Sequence, residues 1–410
     1  MLFKDVIGQD NVKQQLLQLV GQNRLSHALL FLGKEGSGAL PLALAFANYV
    51  SLFSYPNANA AATAPASLFG EPDTEANDVA PVNVNGQQAD EWMQQQVAWS
   101  KAAGLVHPDI HFSYPVVPRK SGDKPLSSDY ITEWRTFIKQ HPYGNGYDWL
   151  QFIGAENRQG NITAYECNDI IRKLSLKSFE SRYKILLMWL PEYLGNAGNK
   201  LLKLIEEPPQ DTLFLLVAEN ESLILPTILS RTQLVKVPAA DIKDIEIALT
   251  ESAGVLPEQA RQIALVSEGN YHEALQLLQH SGDDWQGILR EWLNVIVKAS
   301  FIAQVKWIEE ISRQGREKQK QFLRYFNHLL GQSIRLQLLP GSGDQLPDSE
   351  RDFAQRLNKI VSVHQHQAIV EELDKAAYYI ERNANAKILF HALTIKLYHI
   401  IVKNEVVEMK

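Results

Sequence analysis

Among 410 residues the chain carries a single cysteine, Cys167. One thiol cannot close an intramolecular disulfide, and it excludes a zinc site built on two or more thiolates. It also fits a reducing compartment. No run of sequence approaches the roughly 20 apolar residues that a membrane span requires. The opening Met1-Leu2-Phe3-Lys4-Asp5 lacks the basic, apolar, then small-residue order of a signal peptide, so a cytoplasmic site without a membrane partner is the expectation. Positive charge is scarce too. Lys and Arg number 40 against 47 Asp and Glu, a net charge of -7, which argues against a chain that grips nucleic acid over its whole surface. The shortage is sharpest from Glu35 to Ser100, an interval with no Lys or Arg and seven acidic residues. An anion would find no cationic side chain there.

What is present is ordinary globular material, 45% hydrophobic and 21% charged. At roughly 150 residues per domain the length suggests two or three domains. Asp10 reads as the N-cap of an opening helix with Val12, Leu16, Leu17, Leu19 and Val20 on its apolar face. The run His27 to Gly33 reads as a buried parallel strand, and Ile110 to Val117, Ile185 to Leu190, Leu213 to Val217 and Leu234 to Val237 as further strands. Between them, Thr163 and Glu166 have capping-box spacing, followed by Cys167, Ile170, Ile171 and Leu174 on one helical face. Strands alternating with helices predict an α/β domain with a parallel sheet over 1–238. It is interrupted at 54–88 by an Ala, Asn, Pro, Thr and Gly-rich stretch that reads as a mobile insertion. After Pro238 the strand signal stops. Two or three short helices are expected over 239–282, then an all-α bundle over 283–410, with a loop from Pro340 to Pro347. Two bundle faces are Trp285, Ile288, Leu289, Trp292, Leu293, Ile296 and Leu389, Ala392, Leu393, Leu397, Ile400.

The sharpest local pattern is Gly33-Lys34-Glu35-Gly36-Ser37-Gly38-Ala39-Leu40, between a strand and the helical stretch Leu42 to Val50. That is the setting of a phosphate-binding loop. A working loop places Lys after the last glycine to meet the β- and γ-phosphates, then Ser or Thr to ligate magnesium. Ala39 and Leu40 hold those places, and Lys34 is wrongly positioned to substitute. Backbone amides at a helix start could still hold an anion weakly. The strand that should carry the acids handling magnesium and water reads Lys184 to Leu190, with Trp189 and Leu190 where the acids belong. Glu192 lies just beyond, either as a catalytic remnant or in a surface or capping role. Both deficits point to a chain with no intrinsic ATPase activity.

The segments Asn199-Lys-Leu-Leu-Lys-Leu-Ile-Glu-Glu-Pro-Pro209, Thr212 to Val217 and Leu225-Pro-Thr-Ile-Leu-Ser-Arg231-Thr232 resemble the clamp-loader branch of the AAA+ proteins. Phe3 to Gln9 and Ser26 to Phe31 are similar too, so the resemblance spans most of 1–237. It implies a P-loop NTPase-like α/β domain, a small helical lid and a helical collar for oligomerisation. In that family a Ser-Arg-Cys motif places an arginine finger in the ATP site of a neighbouring subunit, and the matching residues are Ser230, Arg231 and Thr232. Pro226 suits a first helical turn before them. A guanidinium offers forked donors to γ-phosphate oxygens, and such fingers accelerate hydrolysis by about 10³ to 10⁵. An isolated Ser-Arg would instead read as a salt bridge at a helix end. The family's sensor arginine, in a Gly-x-x-Arg-x-Ala-Leu pattern, corresponds to His272 in Gly269-Asn-Tyr-His272-Glu-Ala-Leu275, either a lost nucleotide contact or a solvated helix residue. Many members carry a four-cysteine zinc module after the phosphate loop, and this chain does not, so no cofactor and no zinc are expected. The partners the resemblance implies are gamma/tau ATPases and delta, acting together on a sliding clamp and primer-template DNA.

Three other clusters read blandly. Cys167 sits on an apolar helix face and reads as core packing. His107-Pro-Asp109-Ile-His111 runs into a strand, where residues four apart cannot chelate one ion, and His364 and His366 diverge on a helix. The stretch Arg313, Arg316, Lys318, Lys320, Arg324 with Phe322, Tyr325 and Phe326 reads either as a nucleic-acid contact or as a solvated face over an aromatic core. Three functions follow: a non-hydrolysing partner subunit using Arg231 in trans, an active ATPase of the same fold, or a stand-alone DNA binder working through 313–324.

Overall fold

The computed structural model describes residues 1–53, 84–120, 122–155, 158–279, 284–338, 348–381 and 384–404. Most of the expected insertion, the loop from Pro340 to Pro347 and the boundary at 282 lie outside these residues. The chain divides into two compact units, Met1–Gln276 and Leu277–Lys410.

The first unit is built on five strands, β1 (Ala28–Leu32), β2 (Ile110–Ser113), β3 (Lys184–Trp189), β4 (Thr212–Ala218) and β5 (Gln233–Lys236), in the order β2-β3-β4-β1-β5. Every pairing is parallel, as expected. Side chains alternate across the sheet into two cores. Leu29, Phe31, Ile185, Leu187, Trp189, Leu213, Leu215 and Val217 face one, and Ala28, Leu30, Leu186, Met188, Phe214 and Leu216 face the other. Burial on both faces is why the central strands are continuous apolar runs rather than alternating ones.

The helix Ala39–Leu52 has all 14 residues buried, and helices apolar all round are internal. It is longer at both ends than the expected Leu42 to Val50. Asp10 is not an N-cap. Gln9 takes that place in the left-handed region, and Asp10 opens the helix Asp10–Gly21. Thr163 caps the helix Ala164–Ser175, accepting from the Glu166 amide at 3.3 Å. The reciprocal half of that box is absent because the buried Glu166 carboxylate turns away to accept from the Ser127 amide at 2.8 Å. The expected insertion is also shorter at its far end, since Asn85 and Gln88 form a full capping box opening the helix Gly86–Gln95. Cys167 is buried in the core, as expected.

Three short helices, Ile242–Ala253, Pro257–Val266 and Tyr271–Gln279, follow β5. The second unit is helical throughout its described residues, and its centre is aromatic. Trp292 stacks on Trp307 at 4.8 Å between ring centroids, with Phe322, Phe326 and Phe390 around them. Phe322, Phe326 and Lys320 are therefore buried members of the helix Arg316–Leu338. The basic and aromatic residues of 313–326 do not share one outward face. No described helix is long and apolar enough to cross a membrane.

At the start of β2, the pattern His107-Pro-Asp109-Ile-His111 is structural. Asp109 is buried and accepts from the amides of Phe179, Glu180 and Ser181 at 2.6, 2.8 and 2.7 Å, pinning the loop that precedes β3. His107 Nδ1 accepts from the Asp109 amide, and burial pushes its imidazole below the usual range. Asp109→Ala would leave three amides without an acceptor, so urea unfolding should show a stability loss of about 2–4 kcal/mol.

Candidate functional site

The glycine loop sits where β1 delivers it. Gly33 follows the last β1 residue, and Gly36 and Gly38 adopt φ of +70° and +90°, a conformation that side chains resist. Gly38 caps the helix Ala39–Leu52. The space above the loop is filled by protein. A Cβ on Gly36 would collide with Asn270, and the Tyr271 amide donates to Gly36 O at 3.1 Å. Tyr143 packs against Gly38, receives the Ile7 amide at 2.7 Å on its hydroxyl, and meets the Tyr271 ring edge-on at 4.8 Å. Gln9 Nε2 ties the opening segment to Ser37 O and Pro238 O at 3.1 and 2.7 Å. The cavity left between the loop, Pro142, Tyr143, Gly144, Trp189 and the end of β4 measures about 30 Å³. That is room for about one water, against the roughly 300–1,000 Å³ of ordinary ligand pockets.

His272 closes this arrangement. It is buried, not solvated, and lies between two carboxylates. Nδ1 faces Glu35 Oε1 of the glycine loop at 3.0 Å, and Nε2 faces Asp148 Oδ2 at 2.5 Å. Asp148 is itself held by the capping box it forms with Asn145 on the helix Gly146–Phe152. Burial works to lower the His272 pKa, but the hydrogen bonds and charges of Asp148 and Glu35 outweigh it and push the imidazole up to about 10. His272 is thus a cation bridging the loop, the helix Gly146–Phe152 and the first turn of the helix Tyr271–Gln279.

The second expected acid position is aromatic core. Trp189 is buried against Trp134 and Phe137 at 5.3 and 6.1 Å, and Trp134 stacks on Tyr114 at 4.1 Å. Leu190, at φ +56°, turns the chain after β3. Glu192 accepts from the amides of Glu219 and Asn220 at 2.6 and 2.8 Å, so it fastens the end of β3 to the end of β4, and burial raises its carboxyl above the usual range.

Arg231 lies elsewhere. Pro226 opens the short helix Pro226–Leu229, and Arg231 follows it, two residues before β5. The guanidinium pairs with Glu206, with Nε at 2.5 Å from Oε1, and Nη1 donates to Thr227 O and Ser230 Oγ at 2.7 and 3.1 Å. Thr232 Oγ1 donates to Leu229 O at 3.1 Å. Arg231, Ser230, Glu206 and His27 line a cleft of about 430 Å³. Since β1 and β5 are parallel with Leu29 opposite Gln233, Arg231 is level with His27, before β1, whereas the glycine loop begins after it. Six residue steps, from His27 across β1 to Gly33, separate the two levels, roughly 20 Å, beyond the reach of any side chain.

Sequence reasoning thus located the loop, Trp189 and Arg231 but not Tyr143, Asp148, Asn270, Glu35 or Glu206 as their contacts. The N-x-x-D spacing of Asn145 and Asp148 was a legible cap, but nothing marked its carboxylate as a partner for His272.

A family model described as DNA polymerase III, delta subunit, matches residues 82–241. The DNA polymerase III subunit delta' of Bacillus subtilis is 25% identical over 269 residues, 66% of this chain and 59% of that protein. The gamma/tau subunit of DNA polymerase III from Mycobacterium tuberculosis is 29% identical over 121 residues, 26% of this chain and 21% of that protein. The chain therefore spans less than two thirds of the length of either relative. Among solved structures, a DNA polymerase III gamma subunit-related protein of Thermotoga maritima aligns over 95% of this chain and 99% of its own at 14% identity, with a TM-score of 0.36.

The His272 bridge has a pH signature. Its pKa rises from the ordinary 6.5 to about 10 on folding, so its stabilisation is complete below about pH 6.5 and is lost as pH rises toward and through about 10. Denaturant titrations of the wild type and His272→Gln should show a stability gap that is widest near pH 6 and shrinks by pH 10.5. A gap independent of pH would mean the imidazole is uncharged. Over these stretches the chain is similar in sequence to DNA polymerase III subunits, to delta' over 66% of its length and to gamma/tau over 26%.

Proposed function

We propose that this chain is a delta-prime-type clamp-loader subunit that hydrolyses no ATP of its own and lends Arg231 to the ATP site of a neighbouring ATPase subunit. The observation that carries the reading is the placement of Arg231 at the sheet end opposite the chain's own glycine loop. An arginine there cannot serve a nucleotide bound in cis, but it stands beside an open cleft at the surface. The inert half of the reading draws on three features. Ala39 and Leu40 occupy the positions of the phosphate cation and metal ligand, Trp189 is spent on core packing, and the cavity over the loop is small.

On this reading residues 239–282 act as the lid and 283–410 as the collar through which the subunit joins its ring. The neighbours are gamma/tau ATPases and delta, and the complex loads a sliding clamp onto primer-template DNA in the cytoplasm. Neither zinc nor bound nucleotide is required of this member.

The test is Arg231→Ala in a complex reconstituted with its ATPase neighbours. Assembly should persist while clamp-stimulated ATP turnover falls at least about tenfold. Unchanged turnover would remove the finger. Separately, the purified chain with Mg-ATP should show no turnover, and activity of about 1 per second abolished by Gly38→Val would defeat the inert-loop reading.

A further inference from the structure

Resting on the reading of Arg231 as a finger, we propose that Glu206 is its sheath: in the free subunit this carboxylate holds the guanidinium turned back on its own chain, and a neighbour's triphosphate must displace it.

All three guanidinium nitrogens are engaged within the chain. Nε and Nη2 both meet Glu206 Oε1, while Nη1 is shared between Thr227 O and Ser230 Oγ. A finger needs a free fork to meet γ-phosphate oxygens. In this arrangement the fork is closed by a carboxylate oxygen, an acceptor of the same charge sign as the ligand. The contact is held but not trapped, because the Arg231 and Glu206 side chains are 34% and 43% exposed. An exposed pair of this kind is weak and readily exchanged for a stronger anion.

The position of Glu206 is otherwise unfavourable. It ends the short helix Leu202–Glu206, where unpaired carbonyls disfavour a negative side chain. Pro208 and Pro209, two and three residues on, restrict the backbone that aims it. Glu207, the adjacent carboxylate, has no hydrogen bond from Arg231. The sheath would make engagement depend on the charge of the incoming ligand. A triphosphate outcompetes one carboxylate more readily than a diphosphate does, so an ADP-loaded neighbour would leave the finger on Glu206.

The contact itself is read in the free, full-length chain labelled with ¹⁵N-arginine. The Arg231 Nε–H resonance should lie apart from the solvent-exposed arginines and move toward them in Glu206→Gln but not in Glu207→Gln. Its consequence is read in the reconstituted complex. Glu206→Gln should lower the ATP concentration for half-maximal turnover by about two- to fivefold. Glu207→Gln should leave it unchanged, and in an Arg231→Ala background the Glu206→Gln effect should vanish. If Arg231→Ala abolishes stimulation but Glu206→Gln leaves the half-maximal concentration unchanged or raises it, the sheath is overturned and the finger stands. If Arg231→Ala has no effect on turnover, both are overturned.

Discussion

Five strands running the same way give the sheet two unlike ends. Whatever follows a strand gathers at one end and whatever precedes a strand gathers at the other. The glycine loop follows β1 and Glu192 follows β3, while Arg231 precedes β5 and lines its cleft with His27, which precedes β1. The two ends are tied by the hydrogen-bond register between β1 and β5, so the separation of loop and arginine is a property of the backbone. No rotamer change brings them together. This constraint keeps Arg231 away from the chain's own glycine loop whatever its rotamer.

Around the glycine loop two kinds of packing meet. One is apolar: Trp189 joins Trp134, Phe137, Trp149 and Tyr114 in a continuous aromatic cluster. The other is electrostatic: His272 lies between Glu35 and Asp148, with Tyr271 and Asn270 seated on Gly36. A buried cation flanked by two carboxylates ties the three together, because removing the cation leaves both carboxylates unpaired and removing either carboxylate leaves one ring nitrogen without its acceptor. The three elements that supply them are thereby coupled.

Much of this was legible in the chain. Strand positions followed from short apolar runs, since a parallel sheet covered on both faces needs no alternation, and the glycine spacing located the turn that only positive φ permits. That Ala39, Leu40 and Trp189 stand where a working loop has a cation, a hydroxyl and an acid was equally plain. What could not be read were contacts made across long sequence separations by residues with ordinary local roles. Asp148 is a helix-capping side chain, Glu206 a helix-terminal one, and Tyr143 one of 14 tyrosines, until folding places them. Asp10 and Glu166 misled for the opposite reason. Their spacing fitted capping rules, but Gln9 was held by Ser37 and Pro238, and Glu166 was claimed by Ser127. Local propensity yielded to a tertiary partner in both.

The filled space above Gly36 and Gly38 also bears on how such a chain can change over generations. A lysine at 39 would enter a space of about 30 Å³ walled by Tyr143 and Trp189, too small for its side chain and the water an ammonium needs. An acid at 189 would enter an aromatic cluster. Either change alone would disturb the packing, so each calls for compensating changes around it. Packing thus restrains exchange at both positions: Ala39 tolerates little added volume, and Trp189 is best replaced by another large apolar side chain.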